Sequence, residues 1–199
     1  MAIIVNKEEK RRSIALSSRE LLLEHGIKNI TISKIAQCAG VGKGTIYEYF
    51  TNKEDIVFEI ISVFIAEHEK ELYALIDEDI STKEKIRRSL SMLYISDDYE
   101  KQLSIYREFL AISLTSDVEE MIAFSRACRV RFMTVIDRIM DDAIAKGEVQ
   151  KEAKTLTSTL HTYSVGLVVD VKTHGLEAQV LIDEFVEAFF TLIQKKETK

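Results

Sequence analysis

The chain has 199 residues with no proline, no tryptophan and seven glycines, is 46% hydrophobic and 30% charged, and carries a net charge of −6 at a pI near 5.4. That composition suits a largely helical globular protein and excludes collagen-like, disulfide-stapled and disordered classes. Cys38 and Cys128 are too few and too far apart for a disulfide framework or a metal site, and no 18-residue apolar run or signal peptide appears, so a cytoplasmic protein with no membrane contact is expected.

Charge is unevenly distributed. Residues 1–56 hold nine Lys/Arg against seven Asp/Glu, a net +2, and the remaining 143 hold 18 basic and 26 acidic groups, a net −8. An acidic body of this kind keeps nonspecific affinity for a polyanion low. Within the N-terminal part, residues 30–55 read ITISKIAQCAGVGKGTIYEYFTNKED, the pattern of a helix-turn-helix followed by a longer helix. Thr31 suits a helix N-cap, and Ile32, Ile35 and Ala36 give one apolar edge to a short helix ending near Cys38. Gly40, Gly42 and Gly44 allow a tight reversal while Val41 points inward.

The next short helix has its core face set by Ile46 and Phe50, four residues apart. At about 100° per residue, Gly44, Thr45 and Glu48 then point furthest from the core and Tyr47 and Tyr49 fall on the flanks. Two phenolic hydroxyls so placed reach phosphates on either side of a major groove. Lys43, Thr45 and the first amides of the helix make a phosphate-binding group that Gly44 lets a DNA backbone approach. Inside a helix, glycine is about 1 kcal/mol worse than alanine, so Gly44 either belongs to the turn or serves that approach. Glu48 repels phosphates; it either accepts from a cytosine N4 amine or is solvated or paired within the protein.

From Lys53 to about Ile80 the pattern is one long helix, with Ile56, Ile60, Phe64, Leu72 and Ile76 apolar and no breaker, tying the N-terminal part to the body. Shorter helices are expected at about Thr82–Ser96 and Tyr99–Thr115. A long one spans Asp117–Lys146 on the stripe Val118, Met121, Ser125, Cys128, Phe132, Val135, Ile139 and Ala143, with Gly147 as its stop. The last two helices read Lys151–Thr173 and Leu176–Lys195. The first carries the stripe Leu156, Leu160, Tyr163, Leu167 and Val171. The second carries two, Leu181/Phe185/Ala188/Leu192 and Ile182/Val186/Phe189/Ile193. Apolar coverage this wide must bury two sides, and a second copy packed as a four-helix bundle is the simplest partner. The dimer interface is therefore expected at Leu160, Tyr163, Leu167, Val171, Phe185, Phe189 and Leu192.

Residues 10–56 resemble the DNA-binding region of the tetracycline-repressor (TetR) family of one-component bacterial regulators. Ile14, Ser17, Ser18, Leu21, Leu22, Glu24 and Gly26 fit that family's first helix and its glycine stop. Thr31, Ile35 and Ala36 fit the second; Val41, Lys43, Gly44, Thr45, Ile46, Tyr47, Tyr49, Phe50, Lys53 and Glu54 fit the third helix and the start of the long one after it. Gly42 departs from the serine the family commonly has at the cap, but glycine is an acceptable N-cap. The resemblance implies an all-α fold: a three-helix DNA-binding domain over residues 1–56 and a helical effector-binding and dimerisation domain over residues 57–199. It also implies that Lys43, Thr45, Tyr47, Tyr49 and Lys53 contact DNA. Thr31, Lys34, Gly42, Gly44 and Glu48 complete the candidate DNA-binding set.

An effector pocket should be mostly apolar with a few polar groups. Its candidate lining is Phe64, His68, Tyr94, Tyr106, Phe109, Met121, Phe124, Ser125 and Met133, with Arg126 or Arg129 to meet an anionic group on an amphipathic effector. Each of these is also what an ordinary helical core or solvated face uses. The histidines lack metal-ligand spacing, and no nucleophile–base pair or nucleotide-binding phosphate loop appears, so neither metal, cofactor nor catalysis is expected. The expected function is a homodimeric regulator that reads a palindromic operator on double-stranded DNA, a repressor released by a small-molecule effector. The alternatives are a ligand-requiring or activating regulator, and a helical ligand-binding module with a lapsed DNA head.

Overall fold

A computed structural model of the chain describes residues 6–115 and 119–194. Among them the secondary structure is helical, in ten α-helices: α1 (Lys7–Ser17), α2 (Arg19–Asn29), α3 (Ile32–Cys38), α4 (Lys43–Tyr49), α5 (Lys53–Asp77), α6 (Thr82–Ser91), α7 (Asp97–Ser113), α8 (Glu119–Ala145), α9 (Thr157–His174) and α10 (Ala178–Ile193). Asp117 and Val118, expected to open α8, and Lys195, expected to close α10, lie outside the described residues. Lys151–Leu156, expected as the start of α9, is a 3-10 segment.

The chain packs as two compact units, Met1–Ala66 with Lys101–Asp117 and Glu67–Glu100 with Val118–Lys199. None of the three crossings falls at residue 56, because α5 stays apolar well past it: Ile56, Val57, Ile60, Ile61, Val63 and Phe64 are all buried.

In the first unit, Ile14, Leu22, Ile30, Ile35, Ile46, Ile56 and Ile60 are at most 1% exposed and form the core beneath α1 to α5. Local chemistry sets the helix ends. Asn6, Thr31 and Asn52 accept from the amides of Glu8, Lys34 and Asp55 at 3.1, 3.3 and 2.8 Å, each satisfying an orphan donor of a first turn. Gly26 interrupts α2 at φ 74 and ψ 171, a conformation open essentially to glycine alone.

The second unit's core joins the C-terminal part of α5 to α6, α8, α9 and α10 through Leu72, Ile86, Ile136, Met140, Leu160, Ile182 and Val186 among others. Ser81 caps α6 by accepting from the Glu84 amide at 3.2 Å. Arg87 ties α6 to α10, donating to Asp183 at 2.8 Å and Glu187 at 3.1 Å while also holding Glu84 at 2.9 Å. Lys85, almost wholly buried, donates to the Ile76 carbonyl at 2.6 Å and so satisfies one of the last acceptors of α5.

The expected dimer residues need correction here. Leu160, Leu167 and Phe189 belong to this unit's own core, and Tyr163, Val171 and Phe185 pack against it, Tyr163 stacking on Phe185 at 3.7 Å between centroids. Leu192 is the exception, at 73% exposure. The outward surface is a different one: Thr162, Gly166, Val169 and Thr173 on α9, and Val180, Ala188 and Leu192 on α10, are exposed. This outward surface mixes small and polar residues with exposed Val169, Val180 and Leu192.

Candidate nucleic-acid interface

α3 ends in a Schellman turn. The Gly40 amide donates to Gln37 O at 3.2 Å and the Val41 amide to Ala36 O at 3.0 Å, with Gly40 at φ 63 in the left-handed region. Gly42 is the N-cap of α4 and makes no side-chain capping bond. α4 is held down by Ile46 and Phe50, 0% and 2% exposed. Burying two such side chains contributes about 1.5–3 kcal/mol each.

The opposite side of α4 is open. Lys43, Gly44 and Glu48 are exposed; Tyr49 is half-buried on its flank as expected, but Thr45, expected among the residues furthest from the core, is half-buried, and Tyr47, expected on a flank, is exposed. Gly44 sits within the helix rather than in the turn, with ordinary helical backbone, and a Cβ added there would meet no atom within 4 Å. Thr31 and Lys34 are exposed at the start of α3, the threonine oxygen already engaged as the cap. Lys53 is half-buried, and its Nζ donates to the Ile27 carbonyl at 3.1 Å.

Sequence patterns missed the group that fixes the C-terminal end of α4. From α1, Arg11 donates to the Tyr49 carbonyl at 2.6 Å, to Asp55 Oδ1 at 2.5 Å and to Glu59 Oε2 at 3.0 Å, and its guanidinium lies 4.4 Å from the Phe50 ring centroid. A cation at a helix C-terminus answers its unpaired carbonyls and dipole. Burial works to raise the Asp55 pKa, but the hydrogen bonds from Arg11 and the Thr51 amide, with the Arg11 charge, bring it below its ordinary value. One signal was present: Asn52-x-x-Asp55 is a capping-box spacing, with Asn52 on the Asp55 amide and Asp55 on the Thr51 amide at 3.1 Å.

The candidate effector residues divide between the two units. Phe64, Tyr106 and Phe109 lie in the first, where Phe109 stacks on Tyr106 at 6.5 Å, meets Phe58 edge-on at 6.2 Å, and Arg19 covers the Phe64 ring at 4.8 Å. His68, Tyr94, Met121, Phe124, Ser125, Arg126, Arg129 and Met133 lie in the second. Nδ1 of His68 is buried with no hydrogen-bond partner, and burial pulls the imidazole pKa below its ordinary value against the opposing charge of Glu71. Arg126 is exposed, 3.8 Å from Glu119. Arg129 Nη1 lies 3.0 Å from His161 Nδ1, which is therefore the acceptor nitrogen of that ring. The Cys128 thiol is pushed up to about 11 by burial, the Arg131 charge opposing, and so stays protonated. A polar cleft of about 540 Å³ in this unit, lined by Ile76, Asp77, Arg138, Asp141 and Lys146 among others, contains none of the candidate residues. Among the described residues no cluster of three His, Cys, Asp or Glu could hold a metal ion, and no helix is long and apolar enough to cross a membrane.

Residues 15–60 match the model of bacterial regulatory proteins of the tetR family. The chain is 26% identical over 149 residues to the fatty acid metabolism regulator protein of Bacillus subtilis, covering 73% of each. Among solved structures, a putative TetR-family transcriptional regulator from Mesorhizobium loti superposes with a TM-score of 0.72 at 17% identity, covering 96% of this chain and all of the other. The Bacillus subtilis regulator FadR in complex with stearoyl-CoA superposes at 0.65 with 21% identity, over 89% of this chain and 96% of that one.

Proposed function

We propose that this chain, a member of the TetR family of bacterial regulatory proteins, is a homodimeric repressor that leaves a palindromic operator when a small molecule enters its C-terminal body. Family membership makes it an effector-responsive, DNA-binding transcriptional regulator. We assign DNA binding to residues 1–56, effector binding and dimerisation to residues 57–199, and its place of action to the cytoplasm.

Gly44 carries the reading. Helix propensity disfavours it, nothing within the protein crowds it, and it lies on the exposed side of α4 between Lys43 and Thr45. A glycine with no internal reason is accounted for by a DNA backbone approaching from outside, with Lys43, Tyr47 and Tyr49 on its phosphates. Titrating the chain against the duplex it selects from a random pool, at several salt concentrations, tests this. Affinity should fall steeply with salt as counterion release is lost. Binding no tighter than to scrambled DNA of equal length would refute it.

Two recognition helices related by a two-fold axis read half-sites about 34 Å apart or a multiple of it, which is why the second copy matters. The exposed apolar face of α9 and α10 supports that partner.

For the effector, the likeness to a regulator solved with stearoyl-CoA supports a long-chain acyl thioester. α8 offers both kinds of surface such a molecule needs, apolar Met121, Phe124 and Met133, and exposed cationic Arg126 and Arg129. Adding stearoyl-CoA to the protein–operator complex should release DNA; unaltered DNA affinity across a full titration would rule this effector class out.

A further inference from the structure

Glu108, in the second half of α7, is bound to the helix-turn-helix region from 80 residues away in sequence. Its Oε2 accepts the Ile27 amide at 2.7 Å and its Oε1 accepts the Lys28 amide at 2.9 Å. Gly26 makes the space, since a Cβ there would come within 2.6 Å of Glu108 Oε2. The peptide unit between Ile27 and Lys28 is engaged at both ends: its N–H donates to Glu108, and its C=O accepts Lys53 Nζ at 3.1 Å. A carboxylate on the N–H side and an ammonium on the C=O side both polarise that peptide in the same direction. Each charge-assisted bond thereby strengthens the other.

We propose that Glu108 is a positioning residue for DNA binding, acting through the Ile27–Lys28 peptide to fix the carbonyl that seats the Lys53 ammonium. The assignment rests on the reading of this chain as a DNA-binding regulator. Lys53 has three donors, so the bond to Ile27 leaves two for a phosphate. A lysine already anchored reaches that phosphate without first giving up the freedom of a long, flexible side chain. Without Glu108 the seat loosens, and Lys53 loses its advantage over any other surface cation.

A double-mutant cycle on the full chain tests this, using the duplex the wild type selects from a random pool and reading affinity at one salt concentration. Lys53→Met should weaken binding about tenfold in the wild type and less than about threefold in Glu108→Ala. Glu108→Gln, which keeps one acceptor oxygen, should fall between, and the Ile27 and Lys28 amides should exchange faster in Glu108→Ala than in wild type. A merely structural role predicts no dependence of the Lys53 effect on Glu108. Equal cost of Lys53→Met in both backgrounds, with helicity and thermal midpoint retained, would overturn the assignment while leaving the DNA-binding reading intact. If Glu108→Ala does not fold, the same cycle on Glu108→Gln decides by the same criterion. A wild type that selects no duplex overturns both.

Discussion

A methyl group added at Gly44 meets no atom of the protein, and helix propensity favours alanine there by about 1 kcal/mol. Gly44→Ala is therefore expected to raise the thermal midpoint by about 2–4 °C while weakening operator binding by about tenfold or more, because the added Cβ occupies space the DNA backbone needs. Calorimetry and a DNA titration on one preparation measure both; DNA affinity equal to wild type would remove Gly44 from the interface. His68 gives the pH prediction. Burial holds its folded pKa below the ordinary 6.5, so as pH falls through that value the unfolded chain takes up a proton the native site refuses. Stability should be fully present above about pH 6.5 and decline below it. His161 is shifted the same way by burial and by Arg129, so His68→Gln should flatten the acid limb of a midpoint-against-pH curve only in part. Gly44 was legible in sequence because its neighbours fix its angle around a short helix. Glu108 was not, because a carboxylate that meets amides 80 and 81 positions away leaves no local pattern.

α4 is only seven residues long, too short to stand without its seat. Arg11 is central to that seat, and Arg11→Ala strips the Tyr49 carbonyl, Asp55 and Glu59 of a partner at once. The cost expected is about 1–3 kcal/mol of unfolding free energy, read by urea titration. If α4 is the recognition helix proposed above, operator affinity should fall further than random-sequence affinity, because base contacts depend on its orientation more strictly than phosphate contacts do. Equal losses on both duplexes would make Arg11 a stabiliser of the fold and nothing more. The helices themselves were largely legible from periodicity. Spacing alone did not say which face of α9 and α10 packs inward. Burial separates them: bulky Leu160, Leu167 and Phe189 inward, small Gly166 and Thr162 with Val169 outward.

The proposed dimer would use that outward face. Val180 and Leu192 are 54% and 73% exposed, so a charge at either leaves the core of its own chain undisturbed. Val180→Glu with Leu192→Glu should therefore keep the thermal midpoint of the fold, shift sedimentation from dimer to monomer, and weaken operator binding by at least about a hundredfold, since each half-site must then be bound alone. A wild type that sediments as a monomer at micromolar concentration would overturn the assembly. The charge division of the sequence, +2 against −8, separates residues 1–56 from the rest, but the packing units follow burial and draw α7 residues in with the N-terminal helices. Two of the places where the chain passes from one unit to the other fall inside helices, at Ala66–Glu67 in α5 and Glu100–Lys101 in α7. A helix gives such a crossing no slack: one inserted residue turns everything beyond it by about 100° and lengthens it by about 1.5 Å. Loops absorb insertions and deletions; these crossings do not. Anyone grafting the first unit onto another body must splice in helical phase, at both of these crossings at once.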